Sequence, residues 1–104
     1  MNIETLQNLL QQGQDNKILR FGLGHSLLKA NRASEAIVHF KTALEFDPDY
    51  SAAWKLLGKS LAESGEIHEA IDTYSKGIAI AENKGDIQAV KEMRVFLKRL
   101  QKLI

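Results

Sequence analysis

Apolar residues recur along most of this chain at the spacing of an α-helix. Leu57 and Leu61 lie one turn apart, and Leu23 and Leu27 have the same spacing earlier in the chain. Residues three and four positions apart share one face of a helix. The pattern therefore predicts amphipathic helices, each with one side available to pack against a neighbouring helix.

Polar residues and glycine punctuate these helical segments. Asp49 is a candidate N-cap for a helix from about Tyr50 to Ser64, and Asp86 is one for a last helix that runs to about Leu103. Connections of two to four residues force neighbouring helices to run antiparallel. Residues that adopt the left-handed conformation readily are predicted to end three helices, and they are Gly13, Asn31 and Gly65.

The chain also repeats itself with a period of 34 residues. Two copies of one supersecondary unit explain why large, small and glycine residues all recur at this distance. Glycine inside a helix costs about 1 kcal/mol relative to alanine, so its recurrence predicts a close approach of two helix backbones. The matched pairs include Leu23 with Leu57, Gly24 with Gly58, Leu27 with Leu61, Ala36 with Ala70, and Phe40 with Tyr74.

These residues carry a family resemblance. The second copy matches at Trp54, Leu57, Gly58, Leu61, Ala70 and Tyr74, and the first at Leu23, Gly24, Leu27, Ala36, Phe40 and Pro48. They resemble the tetratricopeptide repeat signature W-x-x-L-G-x-x-Y followed by A-x-x-x-F. The sequence departs from it where Arg20 replaces tryptophan, Leu27 and Leu61 replace tyrosine, and Glu82 replaces a second proline.

The resemblance implies an all-α antiparallel helix-turn-helix solenoid with two tetratricopeptide-type repeats. We expect one domain over residues 1–104, with a leading helix in 1–15, repeats in 17–50 and 51–84, and a capping helix in 85–104. Solenoids need such end pieces, because terminal units must close the core with a polar outer face.

Members of this family are expected to form a right-handed array whose first helices line a concave groove. An adaptor or scaffold of this kind binds a protein segment, here an extended or helical peptide with an acidic group or a C-terminal carboxylate. The groove positions implied by the resemblance are Ile18, Phe21, His25, Leu28 and Lys29 in the first repeat, and Ala52, Lys55, Lys59, Ala62 and Glu63 in the second.

Several groove residues have two interpretations. Phe21 is either exposed in the groove or buried against the leading helix, and Lys55 and Lys59 are either ligand contacts or solvated surface lysines. Chaperone-binding members of the family grip a carboxylate with lysine and asparagine, and Phe21 and His25 stand at the first two of those places. The sequence therefore does not predict binding of a chaperone tail.

The predicted last helix has a basic face formed by Lys91, Arg94, Lys98 and Lys102. Cations near a helix C-terminus complement the helix dipole and aid solubility, which is the simpler interpretation. The alternative is contact with an acidic protein surface. Phosphate backbone is a weaker third option, because 14 basic and 13 acidic residues leave the chain with a net charge of only +1.

Composition narrows the remaining classes of function. The chain has no cysteine, no secretory signal pattern and no long apolar run, so we expect a cytoplasmic protein without a membrane partner. Its three histidines are scattered, and no nucleotide-binding or nucleophile motif is present, so we expect neither a cofactor or metal nor an enzyme. The alternative function is a self-associating structural subunit, such as a homodimer, that buries Met93, Val95, Phe96 and Ile104.

Overall fold

The computed structural model describes residues 2–104, which form six α-helices and no β-strand. Consecutive helices pack against each other throughout, and the molecule extends over 41 × 28 × 19 Å. This arrangement confirms the predicted antiparallel helical solenoid. The helices are α1 (Ile3–Gln11), α2 (Lys17–Lys29), α3 (Ala33–Phe46), α4 (Ser51–Glu63), α5 (Ile67–Lys84) and α6 (Ile87–Gln101).

The turns after α2 and α4 have the same geometry. The backbone φ angle is 62° at Asn31 and 86° at Gly65, so both residues have the predicted left-handed conformation. The N–H of the next residue then donates to a carbonyl of the last helical turn, from Arg32 to Leu27 and from Glu66 to Leu61, each at 2.9 Å. These bonds satisfy carbonyl groups that the end of a helix leaves unpaired.

One of the two predicted N-caps is confirmed and the other is wrong. The Asp86 carboxylate accepts a hydrogen bond from the Ala89 N–H at 3.2 Å, at the start of α6. At the start of α4 the cap residue is Tyr50, which makes no side-chain capping bond. The preceding turn is held instead by the Trp54 indole, which donates to the Pro48 carbonyl at 2.7 Å, and by Lys84, which donates to the Asp49 carbonyl at 2.7 Å.

The equivalent glycines of the two repeats lie beneath aromatic rings. A Cβ atom on Gly24 would lie 2.8 Å from Cε1 of Phe40, and one on Gly58 would lie 2.5 Å from Cε1 of Tyr74. The predicted close approach is therefore present, but it is the approach of a ring from the second helix rather than of that helix's backbone. Each glycine thus makes room for the large side chain that fills its repeat.

The two ends of the solenoid are held differently. Near the N-terminus, α1 packs against α2 alone, with Leu6 only 1% exposed. Near the C-terminus, α6 packs against both α4 and α5, and Met93 is fully buried. The α6 helix ends at Gln101 rather than at Leu103, and Ile104 beyond it is exposed, so Ile104 does not extend the predicted apolar stripe.

The position filled by Trp54 in the second repeat holds Arg20 in the first. Trp54 is half-buried against the core, whereas Arg20 forms a two-bond ion pair with Asp15 at 2.8 and 2.9 Å. The Arg20 guanidinium also lies 3.1 Å from Nδ1 of His39. Since arginine can only donate, this contact requires Nδ1 to be the unprotonated, accepting nitrogen.

The environment of His39 makes stability depend on pH. Partial burial, reinforced by the Arg20 charge, lowers the pKa of His39 below its ordinary value of 6.5. The unfolded chain therefore takes up a proton near pH 6.5 that the folded chain resists, so stability falls as the pH drops below that value. We expect the urea midpoint to decrease between about pH 7.5 and 5.5, and His39→Gln to flatten this slope. His68→Gln, at an exposed position, is the control, and an equal flattening in both variants would contradict the assignment.

Candidate functional site

The first helices of the repeats adjoin one another. Helix α2 contacts α4, and α4 contacts α6, so their outward sides form a continuous surface. We call this surface the first-helix face, and it is defined by the predicted groove residues of α2 and α4. A surface shared by successive helices suits an elongated ligand, because each helix adds a row of side chains.

Most predicted groove residues are accessible, but one is not. Ile18 is 62% exposed, whereas Leu28 is only 6% exposed and belongs to the core. The prediction of Leu28 as a groove residue is therefore wrong, because its helix face turns toward the packed interior. The exposed members are Ile18, His25, Lys29, Lys59 and Glu63, and the half-buried members are Phe21, Ala52, Lys55 and Ala62.

Phe21 matches neither of its two interpretations. Its ring lies in a cluster of aromatic side chains, 5.8 Å from Phe40, 4.9 Å from Tyr50 and 6.2 Å from the parallel His25 ring. The Lys17 ammonium group lies 5.5 Å from the centre of the Tyr50 ring. Tyr50 was missing from the predicted site because it precedes α4 and has a lysine, Lys84, at the equivalent place in the next repeat.

Lys55 and Lys59 have different roles although they are one turn apart. Lys55 forms an ion pair with Glu92 of α6 at 2.9 Å, and Gln88 donates to the same carboxylate at 3.1 Å. The Lys55 hydrogen bond lowers the pKa of Glu92, with a smaller contribution from Gln88. Lys59 is exposed and has no ion-pair partner among residues 2–104. Lys55 therefore joins α4 to α6, and Lys59 is available to a ligand.

A cleft opens between α1 and α2 at the edge of the first-helix face. It has a volume of about 370 Å³ and is lined by Ile3, His25, Ser26 and Lys29. His25 and Lys29 were predicted from the sequence, whereas Ile3 and Ser26 were not. Ile3 belongs to the apolar side of α1, and only the docking of α1 on α2 brings it to this surface.

The predicted basic face of α6 is exposed along its length. Lys91, Lys98 and Lys102 have no ion-pair partner among the described residues, and Arg94 pairs with Glu82 of α5 at 2.8 Å. Exposed pairs of this kind contribute little to stability. The apolar edge that we predicted for self-association is only partly present, since Met93 is buried while Val95 is 49% exposed.

Within residues 2–104, no group of three or more histidine, aspartate or glutamate side chains is arranged to hold a metal ion. No helix in that range is both long enough and apolar enough to span a bilayer.

Comparison with known families identifies the class of protein. Two tetratricopeptide repeat profiles match this chain, one over residues 27–93 and the other over residues 3–50. Together with the paired helices and the glycine–aromatic crossings, these matches show that the chain belongs to the tetratricopeptide repeat family.

Particular relatives extend the similarity to nearly the whole chain. A tetratricopeptide repeat-containing protein of Pseudomonas aeruginosa is 46% identical over 102 residues, covering 98% of this chain and 97% of that protein. The solution structure of a Bordetella parapertussis protein matches with a TM-score of 0.86 and 43% identity, covering 98% of this chain and 89% of the other. YrrB, a tetratricopeptide protein with an unusual peptide-binding site, shares the fold at a TM-score of 0.69 and 19% identity, covering 96% of this chain and 59% of its own.

Proposed function

We propose that this protein is an interaction module that binds a peptide segment of another protein on its first-helix face. The proposal rests on the solvent exposure of the Ile18 and Lys59 side chains, which lie on the adjoining helices α2 and α4. Ile18 is 62% exposed, and Lys59 is exposed without an ion-pair partner in the described part of the chain. An apolar side chain and an unpaired cation on one surface suit a peptide that carries both apolar and acidic residues.

The electrostatics of the same face favour an acidic ligand. His25 and Lys29 line the cleft beside α1, and Lys59 occupies in α4 the place that His25 occupies in α2. Glu63 is the exposed acid on this face, and Glu92 is already engaged by Lys55. Complementary charge raises association rates and sets the register of a bound segment. Peptide binding by the structurally similar YrrB is consistent with this role.

Peptide selection provides the first test. A random peptide library is selected against the immobilised protein, and the dissociation constants of the recovered peptides are measured by fluorescence anisotropy. We expect Ile18→Glu combined with Lys59→Glu to weaken binding by about tenfold or more, because it removes an apolar contact and reverses a charge. Both side chains are exposed, so the fold is not expected to change.

A matched control separates the site from a general charge effect. Val38→Glu combined with Lys76→Glu makes the same changes on α3 and α5, where both residues are exposed and lie outside the first-helix face. The control is expected to bind like the parent. If both double variants weaken binding equally, or if neither does, the first-helix face is not the binding site. If selection recovers no peptide and light scattering shows a dimer, self-association replaces the proposal.

A further inference from the structure

The fourth residue of each repeat's first helix holds the turn that precedes that helix. In the second repeat this residue is Trp54, whose indole donates to the Pro48 carbonyl at 2.7 Å. In the first repeat it is Arg20, whose guanidinium donates two hydrogen bonds to the Asp15 carboxylate, at 2.8 and 2.9 Å. Asp15 belongs to residues 12–16, which we call the α1–α2 linker. Arg20 therefore fixes the segment through which α1 is joined to the repeats.

His39 of α3 supports Arg20 from behind. The Arg20 guanidinium lies 3.1 Å from Nδ1 of His39, so Arg20 connects the α1–α2 linker to the second helix of the first repeat. At the equivalent position the second repeat has the buried Thr73, whose side chain does not titrate in the neutral range. The first repeat thus differs from the second in having an ionisable group beside the residue that holds its turn.

Protonation of His39 is incompatible with this arrangement. Both ring nitrogens of an imidazolium are donors, and arginine has no acceptor, so two donors and two positive charges would face each other at 3.1 Å. Among residues 2–104, the charged groups that act on His39 are Arg20, Asp15 and Glu35, and α4, which also packs on α3, contributes none. The two carboxylates do not replace Arg20 as a partner, because Asp15 is paired with Arg20 and Glu35 with Arg32.

We propose that His39 is a pH-sensitive switch that controls the docking of α1 on α2. Protonated His39 displaces the Arg20 guanidinium, and the α1–α2 linker is then no longer tied to α3. Helix α1 contacts only α2, and Leu6 is its one buried side chain, so its docking is sensitive to the order of the linker. A released linker gains conformational entropy, which favours the undocked state.

The consequence of this switch falls on the cleft between α1 and α2. Ile3 lines that cleft from α1, whereas the other lining residues belong to α2. The cleft is therefore complete at neutral pH and loses the α1 wall in weakly acidic solution. No ligand is needed for this change, so its test is independent of peptide binding.

Hydrogen exchange of the full chain at about pH 7.5 and about pH 5.5 tests the switch, with protection factors corrected for the intrinsic exchange rate at each pH. We expect amides in Ile3–Gln11 to be less protected than those in α4 at both pH values, because α1 opens without global unfolding. Their protection factors should fall about tenfold between the two pH values. This is the limit for one proton taken up by a histidine that recovers its ordinary pKa of 6.5 on opening.

Two variants separate the action of His39 on α1 from its action on the whole fold. In His39→Gln the amide oxygen can still accept from Arg20 but cannot be protonated, so the protection of α1 should no longer change with pH. In Asp15→Ala the linker is untied while His39 still titrates, so amides in α4 should keep their pH dependence and those in α1 should lose it. His68→Gln, at an exposed position, is the control and should behave like the parent.

Three results would overturn the switch. Equal protection in α1 and α4 at both pH values would show that α1 leaves only when the whole chain unfolds. Constant protection in α1, while that in α4 falls, would show that His39 does not act on α1. The same pH dependence of α1 in the parent and in Asp15→Ala would show that the linker does not connect them.

Discussion

Gly58→Leu is expected to lower the free energy of unfolding by about 3 kcal/mol. Even the first added atom would lie 2.5 Å from Cε1 of Tyr74, which is buried at 1% exposure and has little room to move. The α4–α5 crossing must therefore open or the ring must leave its position. Helix propensity alone predicts the opposite effect, because replacing a glycine inside a helix with a better helix former stabilises the protein by about 1 kcal/mol.

Chemical denaturation of paired variants tests this expectation. Ala79→Leu adds a similar side chain on the exposed side of α5 and should leave the midpoint nearly unchanged. Ala70→Leu, at a fully buried position, should destabilise the fold as Gly58→Leu does. In a Tyr74→Ala background Gly58→Leu should lower the free energy of unfolding by less, because the aromatic ring that clashes with the new side chain is absent. An unchanged cost in that background would show that another contact requires the glycine.

Leu6→Ala is expected to release α1 from the rest of the protein. Helix α1 has nine residues and contacts only α2, and Leu6 is its one buried side chain. A helix this short is marginal in water, so it persists through docking. Loss of a buried leucine costs about 2–5 kcal/mol, and only the half-buried Ile3, Leu9 and Leu10 remain to hold α1 against the core.

Hydrogen exchange distinguishes release of α1 from global unfolding. We expect amides in Ile3–Gln11 to exchange about 100-fold faster in Leu6→Ala, while protection in α4 and α5 changes little. Asn8→Ala, at an exposed position of the same helix, is the control. Uniform loss of protection along the chain would contradict the independent behaviour of α1. Release of α1 should also remove one wall of the cleft between α1 and α2, because Ile3 of α1 lines that cleft.

Local patterns in the sequence were sufficient to predict much of the fold. The repeat of Leu23, Gly24 and Leu27 at 34 residues predicted the paired helices, and Asn31 and Gly65 predicted the turns after the first helices. These features depend on neighbours within a few residues, so periodicity and conformational preference reveal them. The prediction of Asp49 as the N-cap of α4 was wrong. The residue type favours capping, but it does not show whether the side chain reaches an N–H group of the helix.

The candidate site depended more on contacts between helices. The positions of the first helices were predictable, but the burial of Leu28, the Lys55–Glu92 pair and the cluster around Phe21 were not. Each of these results from packing between residues distant in sequence or from the rotation of a helix about its axis. A shift of one position along a helix turns a side chain by about 100°, which changes a ligand contact into a core residue.

The sequence by itself determined the family, the helix pairs and the places where small residues are needed, because these follow from spacing and residue size. Only the tertiary structure decided which cations are free. Lys55 and Lys59 look equivalent in the sequence, yet Glu92 is 37 residues away from Lys55 and reaches it through the packing of α6 on α4. Charge is a property of the residue, but its availability to a partner depends on which opposite charge the fold brings within about 4 Å.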